Sequence, residues 1–298
     1  MVKIRIPATS ANMGPGYDSM GVALALYNYV TVEETGKGLK IDILDDTCDF
    51  LATDERNLVY KAMMKVFDRV GYSPKGLHIT LENGVPVTRG LGSSSAGIVG
   101  GLMAANALTG RKLSQNTLLN MAADMEGHPD NVSPALLGGF TVNVMQHKHV
   151  EFVKTCVKDD LRFVAFVPNF FLQTKRSRSI LPRSVSHNDA VYNAGRSALL
   201  TASLVTGKYE NIRTAIGDKL HQRYRRRLIP YMDNIFKMCY QNGALGVYLS
   251  GAGPTIVAII KTKNTRFGIN MSKVLNTRLK DWKMHILKVD NNGATICE

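Results

Sequence analysis

The chain has 298 residues, 45% hydrophobic and 20% charged, a globular composition that argues against disorder. One core nears its size limit at this length, so two packed domains are expected. The net charge of +13 admits nucleic acid, an acidic membrane surface or anionic small molecules such as nucleotides as partners, and charge alone does not choose among them.

The opening Met1-Val2-Lys3-Ile4-Arg5-Ile6 alternates charged and apolar residues up to Pro7, unlike the continuous apolar run of a signal peptide. No stretch approaches the roughly 18 uninterrupted apolar residues of a membrane span. Cys48, Cys156, Cys239 and Cys297 are scattered, with no CxxC pair and no His cluster. Neither a zinc site nor a disulfide framework is suggested, and a cytoplasmic protein is expected.

In chain order, 22–32 and 39–43 read as strands. Asn57 caps a helix through Leu58, Ala62, Val66 and Val70 that Gly71 closes. Residues 76–82 form a strand with Leu77, Ile79 and Leu81 on one face. A Gly/Ser-rich loop over 90–97 leads into a small-residue helix to 108, and another helix covers 114–125. Residues 140–144 resume a strand. After Lys158-Asp159-Asp160 come a strand (162–167), helices (190–205 and beyond), strands (245–249, 255–261), a helix (267–280) and a strand (284–289). That order is a split βαβ, ferredoxin-like unit, and a boundary near 155 divides the chain into 1–155 and 156–298.

The loop Gly90-Leu91-Gly92-Ser93-Ser94-Ser95-Ala96-Gly97 joins a strand to a helix. Free N–H groups and the helix dipole make such a junction suited to phosphate. The glycines allow close approach, and the serines add hydroxyl donors and a Mg²⁺ ligand. No Walker lysine and no GxGxxG is present. Taken alone, the loop also reads as a helix cap with a small-residue helix packed behind it.

Three segments taken together resemble the GHMP kinases: 85–96 with this loop, 7–18 (Pro7-Ala8-Thr9-Ser10-Ala11-Asn12-Met13-Gly14-Pro15-Gly16-Tyr17-Asp18) and Ser250-Gly251-Ala252-Gly253-Pro254-Thr255. The segment Glu126-Gly127-His128-Pro129-Asp130-Asn131-Val132-Ser133-Pro134-Ala135 looks like the homoserine kinases of that superfamily. Motifs from residue 7 to 255 extend the resemblance over essentially the whole chain.

The resemblance implies an α+β, two-domain GHMP kinase fold, with a ribosomal-S5-like N-terminal domain and a C-terminal ferredoxin-like α/β sandwich. It implies ATP-dependent phosphorylation of the side-chain hydroxyl of L-homoserine, in threonine biosynthesis, with ATP and Mg²⁺ as cofactors. ATP would lie on Pro86, Arg89, Gly90, Leu91, Gly92, Ser93, Ser94, Ser95 and Ala96, and Mg²⁺ on a loop serine, Ser94, and on Glu126, with Ser93 as the competing ligand. Asn12, Asp18, His128, Asn131, Arg178, Arg225 and Gly253 would hold homoserine. Asp18 would take the ammonium, Asn12 would orient the substrate, and the arginines would clamp the carboxylate with planar forked donors. Asp130 aligns with the aspartate that acts as base in some GHMP kinases; activation by charge and position alone is the alternative.

Plainer roles stand beside these. Asp130 or Asn131 would cap a helix, Asn12 and Asp18 would form a turn, and either arginine would be a solvated charge in a basic stretch. Another small alcohol, such as mevalonate, is the second substrate reading. The basic stretch that includes Arg223-Tyr224-Arg225-Arg226-Arg227 lacks closely interleaved aromatics beyond Tyr224 and carries no reader motif, so no nucleic-acid partner is expected, nor a membrane. A homodimer is compatible with this class.

Overall fold

Alternating apolar and charged residues build β1 (Val2–Ala11), which continues through Pro7 because its pairing with the next strand shifts register between Pro7 and Ala8. Proline has no N–H for the ladder, and a bulge is where a strand tolerates it. β2 (Met20–Glu34) and β3 (Gly38–Ile43) follow. Asn57 caps α1 (Leu58–Val70) by accepting the Val59 N–H at 2.9 Å, and Gly71 ends it at φ 66°. Then come β4 (Gly76–Asn83), α2 (Ser93–Leu108), α3 (Gln115–Glu126), α4 (Pro129–Leu137), β5 (Phe140–Gln146), β6 (His149–Thr155) and β7 (Leu161–Pro168). The second half adds α5 (Thr174–Ser179), α6 (His187–Thr206), α7 (Ile212–Ala215), α8 (Gln222–Arg225), α9 (Met232–Gln241), β8 (Gly246–Leu249), β9 (Ile256–Lys261), α10 (Arg266–Arg278), β10 (Trp282–Leu287) and β11 (Thr295–Cys297). This computed structural model describes residues 1–45 and 51–297, so Cys48 lies outside the described residues.

Among the described residues the strands form two sheets. Seven strands run β11-β1-β2-β4-β3, with β5 also on β2 and β6 on β5, and β11 brings the chain's end back to the N-terminal sheet. The other four run β10-β7-β9-β8, all antiparallel, the strand order of the split βαβ unit.

Three cores hold these layers. Ile4, Ile6, Val30 and Val32 pack under Phe67 and Leu102. Helix α2 is apolar on every side and is buried accordingly. It crosses α1 so closely that a Cβ on Gly101 would strike the Val59 carbonyl. Ala8, Val22 and Leu24 join the two sheets by meeting Phe163, Ala165 and Val257. Phe166 and Ile256, on the far face of the smaller sheet, are covered by Ile235, Phe267 and Trp282. The middle core presses the end of β1 against the second half of the chain, and the candidate site forms at that seam.

Candidate active site

Three segments far apart in sequence meet at the seam through their backbones. Thr9 N–H donates to the Leu91 carbonyl at 3.0 Å, Gly251 N–H to Ala11 at 3.0 Å and Thr255 N–H to Arg89 at 3.1 Å. Ser250 Oγ donates to the Gly90 carbonyl at 2.6 Å and shares a 2.7 Å hydrogen bond with Ser10 Oγ. Gly92, the residue before α2, sits at φ 72°, and a Cβ there would run into the Thr9 hydroxyl. Gly92→Ala combines a left-handed alanine, costing about 1–2 kcal/mol, with that collision. A drop in unfolding free energy of at least about 1 kcal/mol is expected in urea titration, and an unchanged midpoint would show that the loop relaxes freely.

The loop opens onto a cavity of about 400 Å³. Of the residues singled out from sequence, Asn12, Asp18, Gly90, Gly92, Ser93, Ser94, Ala96, Glu126, His128, Asp130, Asn131, Arg178, Arg225 and Gly253 line it. Its other end is more apolar, with Val30, Leu58, Val59 and Leu81 beside Arg56 and Asn57. At the mouth of the loop Ser94 Oγ donates to Glu126 Oε2 at 2.8 Å. Glu126 ends α3, where Gly127 turns the chain at φ 88°.

Helix α4 begins at His128 as its N-cap, not at Asp130 or Asn131, which fall inside its first turn behind Pro129. Asp130 Oδ1 accepts from the ring of His128 at 2.7 Å and from Asn131 Nδ2 at 3.4 Å, while Asn131 Oδ1 accepts from Thr9 Oγ1 at 2.8 Å. Burial works against the charged imidazole of His128, but the hydrogen bond and charge of Asp130 outweigh it and hold the pKa above the ordinary 6.5. A folded-state pKa above the unfolded one means that this pair stabilises fully below pH 6.5 and loses its effect as pH rises through the folded value. The His128 ring resonance is therefore expected to titrate above 6.5 by NMR and to move down in Asp130→Asn. Titration at or below 6.5 in the unaltered protein would contradict the pairing.

Two arginines enter from the second half of the chain. Arg178 grips Asp18 with both nitrogens, at 2.9 and 2.7 Å, and donates to Tyr17 Oη at 3.1 Å. Burial lowers its pKa, but Asp18 outweighs burial and the net shift is upward. Arg225 is 1% exposed and donates to Ser177 O at 3.2 Å and Gly251 O at 2.9 Å. Burial dominates there, and its pKa is lowered. The Tyr17 ring stands between the two guanidiniums, 5.6 Å from Arg178 and 5.4 Å from Arg225. Asn12 takes a turn-forming position at φ 66°, with Nδ2 on the Gly251 carbonyl at 2.7 Å and Oδ1 on the Asp18 N–H at 2.9 Å.

Four of the residues singled out do not line the cavity. Pro86 and Arg89 line a separate depression, where Arg89 donates to the Pro168 carbonyl at 2.9 Å and stacks 3.8 Å from the Phe171 ring. Leu91 is buried in the middle core, and Ser95 is fully buried on the inward face of α2. Tyr17, His221 and Thr174 were missed. Tyr17 abuts Asp18 in sequence and His221 stands four residues before Arg225, one helical turn, and that spacing was the available signal.

The model for "GHMP kinases N terminal domain" matches residues 57–139, and that for "GHMP kinases C terminal" matches 200–267. The homoserine kinase of Clostridium beijerinckii is 47% identical over 300 residues, covering 100% of this chain and 99% of its own. That of Caldicellulosiruptor saccharolyticus is 47% identical over 298 residues, covering 99% of this chain and 96% of its own. The crystal structure of homoserine kinase from Cytophaga hutchinsonii superposes with a TM-score of 0.90 at 30% identity, covering 99% of this chain and 97% of that one. A mevalonate kinase from L. major, solved with R-mevalonate, is 16% identical at a TM-score of 0.74 over 96% of this chain and 95% of that one, a likeness of fold alone.

Proposed function

The chain belongs to the homoserine kinases of the GHMP kinase family, and from this we infer that it phosphorylates the side-chain hydroxyl of L-homoserine with ATP, giving O-phospho-L-homoserine and ADP in threonine biosynthesis. Its α+β fold is the two-domain GHMP kinase fold. The observation that carries the site reading is one cavity lined by a glycine loop, a hydroxyl–carboxylate pair and an opposed carboxylate and guanidinium. We take 1–155 as the ATP-binding unit and 156–298 as the unit that contributes Arg178, Arg225 and the 250–255 turn.

Phosphoryl transfer requires positioning and neutralisation of charge around the γ-phosphate, with little covalent work for the protein. The loop around Gly90, Gly92, Ser93 and Ser94 would present N–H and hydroxyl donors to the phosphates, and the apolar end would receive the base. Pro86, Arg89, Leu91 and Ser95 would act from behind the loop by holding its shape. Ser94 and Glu126 supply a hydroxyl and a carboxylate, hard oxygens of the kind Mg²⁺ accepts alongside water and phosphate. Among the described residues no group of three or more His, Cys, Asp or Glu could hold a metal. Bound by Ser94 and Glu126, Mg²⁺ would neutralise charge on the transferring group.

Asp18 and Arg178 satisfy each other without substrate. A zwitterion would replace that single pair by two, its ammonium on Asp18 and its carboxylate on Arg178 and Arg225. His128 and Asn131 would orient the hydroxyl. Asp130 is the candidate base, although its hydrogen bond from His128 draws on a lone pair that proton abstraction would use. No described helix is long and apolar enough to cross a membrane, and Cys156, Cys239 and Cys297 are free, in keeping with a cytoplasmic enzyme.

A coupled ADP assay over a panel of alcohols tests the assignment. Release of ADP should depend on L-homoserine. Strong stimulation by mevalonate with none by homoserine would transfer the reading to the other alcohol.

A further inference from the structure

His221 has no part in the chemistry above, yet it touches Arg225 of the amino-acid clamp and the turn that leads to Asp18. It is 0% exposed, and its ring meets that of Tyr17 with centroids 5.3 Å apart. Nδ1 lies 3.2 Å from Arg225 Nη1, and Nε2 lies 2.9 Å from the Gly14 carbonyl. A guanidinium only donates and a carbonyl only accepts. Nδ1 must therefore be the bare nitrogen and Nε2 must carry the proton, so one neutral tautomer satisfies both contacts.

Asp218 stands 3.7 Å away and could have charged the ring. Its oxygens instead accept the N–H groups of Leu220, His221 and Gln222 and the amide of Asn193, at 2.7–3.0 Å. Burial dominates, against the opposing charge of Asp218, and lowers the His221 pKa. The Gly14 turn is pressed onto the same segment, since a Cβ at Gly14 would strike the Ile216 carbonyl. One imidazole thus ties the turn leading to Asp18 to the side chain of Arg225.

We propose that His221 is a positioning residue for amino-acid recognition, its two ring nitrogens fixing Arg225 and the Gly14–Asp18 turn at the spacing that a substrate's carboxylate and ammonium demand. The proposal rests on the reading of Arg225 as a carboxylate ligand. An alcohol that carries a carboxylate alone would draw Arg178 away from Asp18 and offer Asp18 no ammonium, so the clamp would favour α-amino acids.

Two isosteric changes separate the two bonds. His221→Asn keeps an acceptor where Nδ1 was and gives up Gly14, while His221→Gln keeps a donor to Gly14 and gives up the acceptor for Arg225. His221→Gln is expected to raise the homoserine KM about tenfold, the worth of a hydrogen bond to a charged group, with the ATP KM unchanged. His221→Asn should stay within about threefold, and adding His221→Gln to Arg225→Leu should raise KM no further. Equal KM rises in both variants, tracking equal losses in Tm, would reduce His221 to a packing role and overturn the proposal. An unchanged KM in His221→Gln, with a raised KM in Arg225→Leu, would overturn it while leaving the clamp intact. Unchanged KM in both would remove the clamp and this proposal together.

Discussion

Glu126→Gln is expected to lower turnover by about 10²–10³-fold while ATP affinity stays within about threefold. The substitution preserves volume and leaves an oxygen that can still accept the Ser94 hydroxyl, now held at 2.8 Å, so the end of α3 should keep its shape. The negative charge is lost, and one acceptor oxygen becomes an amide donor that cannot ligate a metal. ATP binding would draw mainly on the loop N–H groups and the apolar end of the cavity, which the change does not touch. The charge instead counts where the transferring group develops its own, and an interaction made only there lowers kcat without raising KM. Steady-state kinetics with both substrates checks this. Parallel losses in ATP affinity and kcat/KM would make Glu126 a ground-state binding group, and an unchanged kcat would remove it from catalysis.

Much of the fold was legible because local signals and tertiary packing agree. Asn57 and Gly71 bracket α1, and Ser114 and Gly127 bracket α3, through the side-chain acceptors and left-handed glycines that helix ends require. The strand expected at 140–144 is β5, whereas β6 and β11 go unread in the sequence, for identifiable causes. β5 and β6 pair Gln146 with His149, leaving His147 and Lys148 as a two-residue turn at φ 48° and 65°. Such turns usually announce themselves with Asn-Gly, and His-Lys carries no such signal. β11 is three residues long and is defined by its pairing with β1, a contact nearly the length of the chain away.

The site divides in the same way. Glycines and carboxylates stand out because few structural duties need them in that pattern, so the lining from Gly90 to Asn131 could be read directly. The three serines could not be separated by residue type. Helical rotation turns Ser94 toward Glu126 and Ser95 into the core, which depends on how α2 is seated. Beyond its one-turn spacing from Arg225, His221 looks like an ordinary core residue in sequence, as does Tyr17, and the approach of α8 to the Gly14 turn is what brings both against Arg225.

Arg225→Leu is expected to raise the homoserine KM by about 30–100-fold, with the ATP KM within about threefold. Of the Arg223, Arg225, Arg226 and Arg227 side chains in the basic run, only that of Arg225 is buried; Arg223 is held by Asp189 at 2.7 Å near the surface. A guanidinium 1% exposed, with its pKa lowered by burial, is a poorly solvated cation. A carboxylate arriving beside it would gain strongly for that reason, since water competes little for either charge. Leucine would fill part of the volume but leave the Ser177 carbonyl and the His221 ring without the donor that Arg225 supplies, and the Gly251 carbonyl with Asn12 Nδ2 alone. Some loss of stability should therefore accompany the kinetic effect, and unfolding measured in parallel separates the two. Arg178→Leu provides the contrast. That side chain is 36% exposed and already neutralised by Asp18, so its removal frees the ammonium's partner while taking away one carboxylate ligand, and the rise in KM should be smaller. Equal effects on the KM of both substrates in Arg225→Leu would mean a collapsed cavity and count against the clamp.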